Sequence, residues 1–274
     1  MSRRANSPAS HPGPAVPVLM YHWVHPDPGH HLRLYGVTPE AFAWQMNHLR
    51  SAGFRAAGLE DLLAHLDGTR TLGPRRVVLT FDDGYRDNVE YAGPILADLG
   101  WTATIFVVTD HVGGTNAWDA SHGDAPRPLL SWDEIRRHDG GVFNFESHSR
   151  THPNLTEIDP AQARDEIEGS RHRLEDELGR RAQVFAYPHG ARNHGLDELS
   201  RAAGYAAAVT DRQGRNAPGT DPFLIRRTMI TSRDMLPTYA FKVMTGFGVH
   251  GMTQALLRRV AGQPATAGRA EHET

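Results

Sequence analysis

The sequence predicts an α/β protein built on a parallel sheet, and three observations carry that prediction. Short apolar, β-prone runs recur along the chain; runs with helical periodicity and capping residues separate them; and two of the strand-like runs end in acidic or histidine residues. In parallel α/β architectures the C-terminal ends of strands converge on one mouth, so such endings mark a candidate site. The alternation fits either a barrel or an open doubly wound sheet. No glycine-rich loop of the dinucleotide-binding type follows any strand.

Taken in order, Val16 to Val24 is a first buried strand with His22 near its end, leading into a polar loop up to about Tyr35. Thr38-Pro39-Glu40 opens a helix, with Thr as N-cap, Pro in the first turn and an acid near the positive end of the dipole. Phe42, Met46 and Leu49 give that helix its apolar stripe, and Gly53 ends it. Leu59 to Leu66 is a short helix. Arg76 to Phe81 is the next strand, and Asn88 to Leu99 is an amphipathic helix in spite of Pro94, closed by Gly100.

Thr102 to Val108 is strand, and a long loop runs from His111 to Leu130, a length usually tied to function or disorder. Ser131 and Glu134 form a capping box. Val142 to Glu146 is strand, Asp159-Pro160 starts a long charged helix to about Leu178, and Ala182 to Tyr187 is strand. Leu196 to Ala203 is helix, Ala206 to Val209 strand, and Phe223 to Ile230 a final strand.

At 274 residues and 39% hydrophobic content, with no break in composition, the chain reads as one domain over 16–260. The polar tails, 1–15 and 261–274, read as disordered. No run approaches the roughly 18 apolar residues of a membrane span. The net charge is only -3 and the basic residues are scattered, which argues against a nucleic-acid surface. The stretch Met1 to Pro17 has no signal-peptide core and reads as that of a cytoplasmic protein, or of an extracytoplasmic one if the start is misassigned. There is no cysteine, so a metal would have to be held by His, Asp or Glu.

Two clusters carry chemistry. The run Val77-Val78-Leu79-Thr80-Phe81 ends in Asp82-Asp83-Gly84. Successive strand residues face opposite sides, so both carboxylates reach one site only if the strand turns there, and Gly84 permits the turn. The plain alternative is a polar strand end that starts a loop. His148 and His152 are the only pair four residues apart among 17 histidines. That spacing predicts two imidazoles on one face of a helical turn, although such pairs also arise by chance in so histidine-rich a chain. One carboxylate and two imidazoles suit a catalytic divalent ion, leaving the second carboxylate free to act as a base.

These residues resemble the NodB-homology polysaccharide deacetylases, carbohydrate esterase family 4. Thr80-Phe81-Asp82-Asp83-Gly84 is similar to the family's first motif, Ser147-His148-Ser149-Arg150-Thr151-His152-Pro153 to its second, and Tyr187-Pro188-His189-Gly190 to its third. The resemblance runs from about Val18 to Ile230. It implies a distorted (β/α) barrel, of seven strands in this family, and a metal held by Asp83, His148 and His152, with Zn2+ favoured and Co2+, Ni2+ or Mn2+ possible.

By the same resemblance Asp82 would be the general base, and the third motif would hold the oxyanion, through the backbone N–H of His189. Two departures stand out: His189 replaces the usual aromatic, and Ala186 the arginine often found three residues earlier. Arg227 is similar to an arginine that a subgroup places near its last strand, with Arg226 beside it and a surface role open for either. Val18-Leu19-Met20-Tyr21-His22-Trp23-Val24 resembles the first strand of the poly-N-acetylglucosamine deacetylase branch, which makes His22 the expected general acid and His250 the fallback. Trp118, Trp132 and Tyr187 are candidates for a sugar-stacking wall.

The implied reaction is removal of acetyl groups from an N-acetylglucosamine-containing poly- or oligosaccharide. A lipid-linked sugar or small metabolite, a cyclic amide, and a carbohydrate-binding homologue without turnover are the alternatives.

Overall fold

The structure, a computed structural model, describes residues 13–27 and 32–248. His250 and the tail at 261–274 lie outside these residues, as does most of the tail at 1–15. Residues 13–15 are held in place: the Pro14 carbonyl lies 2.9 Å from Nε2 of His65, and the Ala15 carbonyl accepts from Arg215.

Strands β1 (Val16–Tyr21) and β2 (Trp23–Val24) flank His22, and β3 (Gly36–Val37) pairs with β2. Helix α1 (Pro39–Ser51) starts as the sequence predicts, with the Thr38 hydroxyl accepting from Ala41 N. It is followed by β4 (Arg55–Ala56), α2 (Leu59–Leu66) and β5 (Arg76–Phe81). The predicted helix at 88–99 divides into a wide π-type turn, Asn88–Ala92, and α3 (Gly93–Leu99); Pro94 is accommodated in the first turn of α3, where its missing N–H costs nothing.

Then come β6 (Ala103–Val107), α4 (Trp132–His138) with its capping box, β7 (Phe143–Ser147) and α5 (Pro160–Leu178). The chain continues through β8 (Val184–Ala186), α6 (His194–Ala202), β9 (Ala207–Val209), β10 (Arg215–Asn216), β11 (Thr228–Met229) and α7 (Thr238–Thr245).

Strands β1, β5, β6, β7, β8 and β9 lie side by side and parallel, and on the side of β1 away from β5 the short β10 pairs antiparallel and β11 parallel. A bridge between Val209 and Ile225 joins β9 to the segment leading into β11. Seven parallel strands thus make a ring whose closure is irregular: the distorted barrel. The predicted strand at 223–230 is not continuous. Residues Pro222–Leu224 form a 3-10 turn, after which the backbone changes partners from Thr210 to Asn216 to β1, so only two residues make a regular ladder.

Alternation along each strand divides the core. Leu79 and Phe81 pack outward under α1 and α3, with Phe42, Met46 and Leu96. Val18, Val78, Phe106, Val184 and Ala186 fill the barrel interior, continuous with Leu62 and Leu66 of α2. Among the described residues no helix is long and apolar enough to cross a membrane.

Candidate active site

On β5 the period of two sends Val78 and Thr80 into the barrel, and Asp82, one residue past the strand, continues that inward face. It meets Arg227. The guanidinium grips the carboxylate with two parallel bonds, Nη1 to Oδ1 at 2.6 Å and Nη2 to Oδ2 at 2.8 Å, while its Nε donates to the Thr210 carbonyl. Both side chains are buried, at 3% and 1% exposure. Burial alone would raise the Asp82 carboxyl; Arg227, with His148 and His22, outweighs it and holds the group below the usual carboxylate range. Arg226 is exposed, so the alternation that hides one arginine turns the other to solvent.

Asp83 takes the left-handed conformation itself (φ 73°), one residue before Gly84 (φ 78°). That early turn brings consecutive carboxylates to one mouth. Gly84 is required twice over, by its φ and because a Cβ there would press on Val107 at 3.1 Å. Oδ1 of Asp83 lies 3.5 Å from Nε2 of His148 and 3.3 Å from Nε2 of His152, with all three residues buried.

The histidines do not sit on a helical turn. The segment after β7 is irregular, with Ser149 (φ 67°) and His152 (φ 64°) both left-handed, and Pro153 follows at once. Left-handed backbone at these residues, rather than helical periodicity, brings the two imidazoles together. Nδ1 of His148 lies 2.9 Å from the Ala186 carbonyl, an acceptor, so this nitrogen carries the proton and Nε2 presents a lone pair.

The triangle fits a divalent cation. Among the described residues Asp83 Oδ1 is buried without a hydrogen-bond partner, and the three ligand atoms lie within 4.8 Å of one another. The two edges from Asp83 match the separation of about 3.4 Å expected for two ligands each about 2.1 Å from a tetrahedral zinc. A carboxylate oxygen facing a buried imidazole lone pair is unfavourable unless a positive charge lies between them.

His22 occupies the break between β1 and β2. Asn88, fully buried in the π-type turn, spans that break: its Nδ2 donates to the His22 carbonyl (2.7 Å) and its Oδ1 accepts from Val24 N (3.2 Å). The His22 ring stands edge-on to Tyr35 at 4.8 Å, and its Nδ1 is buried with no partner among the described residues. Burial lowers its imidazole, while Asp83 and Asp82 push back. The sequence marked neither Asn88 nor Tyr35; a buried Asn on a helical apolar face was the available signal, since that group must find partners.

In the third motif Pro188 is buried and His189 is left-handed (φ 57°). Its ring lies 4.6 Å from that of His152, and burial together with His152 and His148 pushes it down to about 4, leaving it neutral at pH 7. Gly190 is left-handed too, and a Cβ there would strike the Asp211 carboxylate.

Two of the proposed stacking residues lie elsewhere. Tyr187 is fully buried with its hydroxyl on Asp197, and Trp132 packs on the outer core beneath Arg173 of α5. Both serve packing because the strand and helix faces that carry them point away from the mouth. Trp118 does reach the site, stacked on His152 at 4.7 Å.

Comparison with known proteins gives the family and the fold. The family model for polysaccharide deacetylases matches residues 69–208. A poly-β-1,6-N-acetyl-D-glucosamine N-deacetylase of Staphylococcus epidermidis is 24% identical over 210 residues, 73% of this chain and 70% of that protein. A polysaccharide deacetylase of Bacillus cereus superposes with a TM-score of 0.70 at 26% identity, covering 84% of this chain and 69% of that one. The deacetylase PplD of Streptococcus pyogenes, solved with acetate, gives 0.72 at 24% identity over 85% and 99%. The matched stretch contains Asp82, Asp83, His148, His152 and His189, while His22 and Arg227 fall outside it. With 140 of 274 residues inside the model, this chain belongs to the polysaccharide deacetylase family and is a hydrolase.

Proposed function

We propose that the protein is a metal-dependent N-deacetylase of N-acetylglucosamine-containing poly- or oligosaccharides, releasing acetate and a free amine. The observation that carries this reading is the buried Asp83, His148 and His152 triangle set beside an ionised carboxylate, Asp82, that an arginine clamps. The S. epidermidis relative's named polymer makes a β-1,6-linked substrate the first to try.

A divalent ion held by Asp83, His148 and His152, zinc by donor type, would polarise the acetamide carbonyl and bring the pKa of water towards about 7. Asp82 accepts the proton of the attacking water. Arg227 keeps it ionised and aimed, since both its oxygens are tied to one planar group. His22 protonates the departing nitrogen, held at its post by Asn88. The backbone N–H of His189 faces the developing oxyanion, a role that needs no particular side chain there. The Trp118 ring offers a face to the sugar.

The test is acetate release from β-1,6- and β-1,4-linked N-acetylglucosamine oligomers by metal-stripped protein, with and without zinc or cobalt, beside Asp82→Asn. Metal-restored release that Asp82→Asn abolishes supports both the reaction and the base. Protein that binds one metal per chain yet releases nothing from any oligomer would move the substrate to a smaller acetamide.

A further inference from the structure

The turn between the two histidines is fastened by a residue outside every motif. Its two left-handed residues, Ser149 and His152, each cost on the order of 1 kcal/mol or more and persist only where the surroundings impose them. Three neighbours do so. Thr109 N and Asp110 N donate to the carbonyls of Ser149 and Arg150, at 3.1 and 2.9 Å, and Ser149 Oγ accepts from His152 N at 3.0 Å.

The third neighbour is Glu166 of α5. One of its carboxylate oxygens accepts from both Arg150 N (2.8 Å) and Thr151 N (2.9 Å), and the other accepts from the Thr151 hydroxyl (2.6 Å). The Arg150 side chain ties the same turn to Asp110 and Asp165 and lies over Gly169, where a Cβ would approach its Cδ to 2.6 Å. Glu166 adds little to the packing of α5, whose buried residues are Ala163, Ile167, Ser170 and Leu174.

We propose that Glu166 is a positioning residue for the metal triangle: its three hydrogen bonds fix the 148–152 turn so that Nε2 of both histidines converges on Asp83. This rests on the reading that Asp83, His148 and His152 hold a divalent ion. Without Glu166 the turn relaxes towards ordinary backbone angles, and ion binding must then reimpose it, which weakens affinity although no ligand has changed.

The test is titration of the metal-free full chain with Co2+, followed by visible absorption, which reports the ion's surroundings independently of turnover. Glu166→Ala should weaken cobalt binding about ten- to a hundredfold, the range for supports one step removed from a ligand. Glu166→Gln should recover part of the loss, because its amide oxygen still accepts from both backbone N–H groups. Thr151→Val, which removes one bond of three, should cost about fivefold. Glu168→Gln, on the same helix and paired with Arg164, should leave affinity unchanged.

Wild-type protein that binds no cobalt would overturn the underlying reading. Wild type that binds, with Glu166→Ala binding within twofold of it and folded by circular dichroism, would overturn the role of Glu166 alone. Should Glu166→Ala not fold, unchanged affinity in both Glu166→Gln and Thr151→Val would overturn it equally.

Discussion

Replacing Arg227 by methionine keeps most of its volume and removes the fork that grips Asp82. In the native protein the pair is buried, and burial is the largest influence on Asp82, opposed chiefly by Arg227. Stranding a buried charge in this way costs about 3–5 kcal/mol. The carboxylate has an escape: it can bind a proton, at a cost of about 1.4 kcal/mol for each pH unit above its unfolded value near 3.9. At pH 7 that route costs about 4 kcal/mol, and at pH 5 only about 1.5.

The deficit of Arg227→Met in urea unfolding should therefore deepen by nearly 3 kcal/mol between pH 5 and pH 7, and Asp82→Asn in the same chain should remove this dependence. The sign follows from Asp82: its folded value, depressed in the wild type, becomes raised in the variant, so stability is lost as pH rises. The acid limb of kcat should move to higher pH in step, because the base now loses its proton later. A deficit equal at both pH values, within about 0.5 kcal/mol, would refute the account of a charge held in place by Arg227.

Three further outcomes follow from the site and its margin. His22→Gln should lower kcat by about a hundredfold or more with cobalt affinity within twofold of wild type, since His22 is assigned to the proton and not to the ion; equal losses in both would make it a ligand. Asp83→Ala should abolish cobalt absorption and turnover together, and turnover surviving without the absorption would remove the ion from the mechanism. Asp87 is buried with one oxygen unpartnered among the described residues and Arg127 3.8 Å away, and burial pushes it up to about 7. A raised acid stabilises the fold below its unfolded value and loses that contribution as pH rises through 7. Asp87→Asn should thus match wild type near pH 4 and exceed it by up to about 4 kcal/mol at pH 8, measured by urea unfolding; a constant difference would show that Asp87 does not titrate this way.

Elements set by local chemistry were legible in the chain. Thr38, Ser131 and Asp159 start helices where their side chains accept from the first-turn amides, and the Arg76 to Phe81 strand is bounded as its β-prone run suggests. The convergence of Asp82, Asp83, His148 and His152 was legible for the same reason, because strand ends point one way in a parallel sheet. What depends on register was not. Arg226 and Arg227 are alike to a reader who lacks the phase of the strand, and that strand barely exists as a ladder. The pattern at 148 and 152 suggested a helical turn, whereas the two left-handed residues that form it are non-glycine and carry no sequence mark. Glu166 was invisible because a glutamate in a charged helix looks like any solvated side chain. Tyr187 and Trp132 are large aromatics whose direction, not identity, decides between core and pocket.

The irregular seam at which β11 meets β1 has a consequence in chain order. His22 and Arg227 stand on either side of it, 205 positions apart, while Asp83 and His152 are separated by 69. Loop-closure entropy grows so slowly that the longer span costs only about 1 kcal/mol more at equilibrium, yet long-range contacts are the slow ones to form. On the proposed roles, this order of closure predicts that the residues assigned to the ion come together before those assigned to the proton, which await the meeting of the ends. A refolding chain should take up cobalt first and release acetate later, and the interval between the two is the time the barrel needs to find its last neighbour.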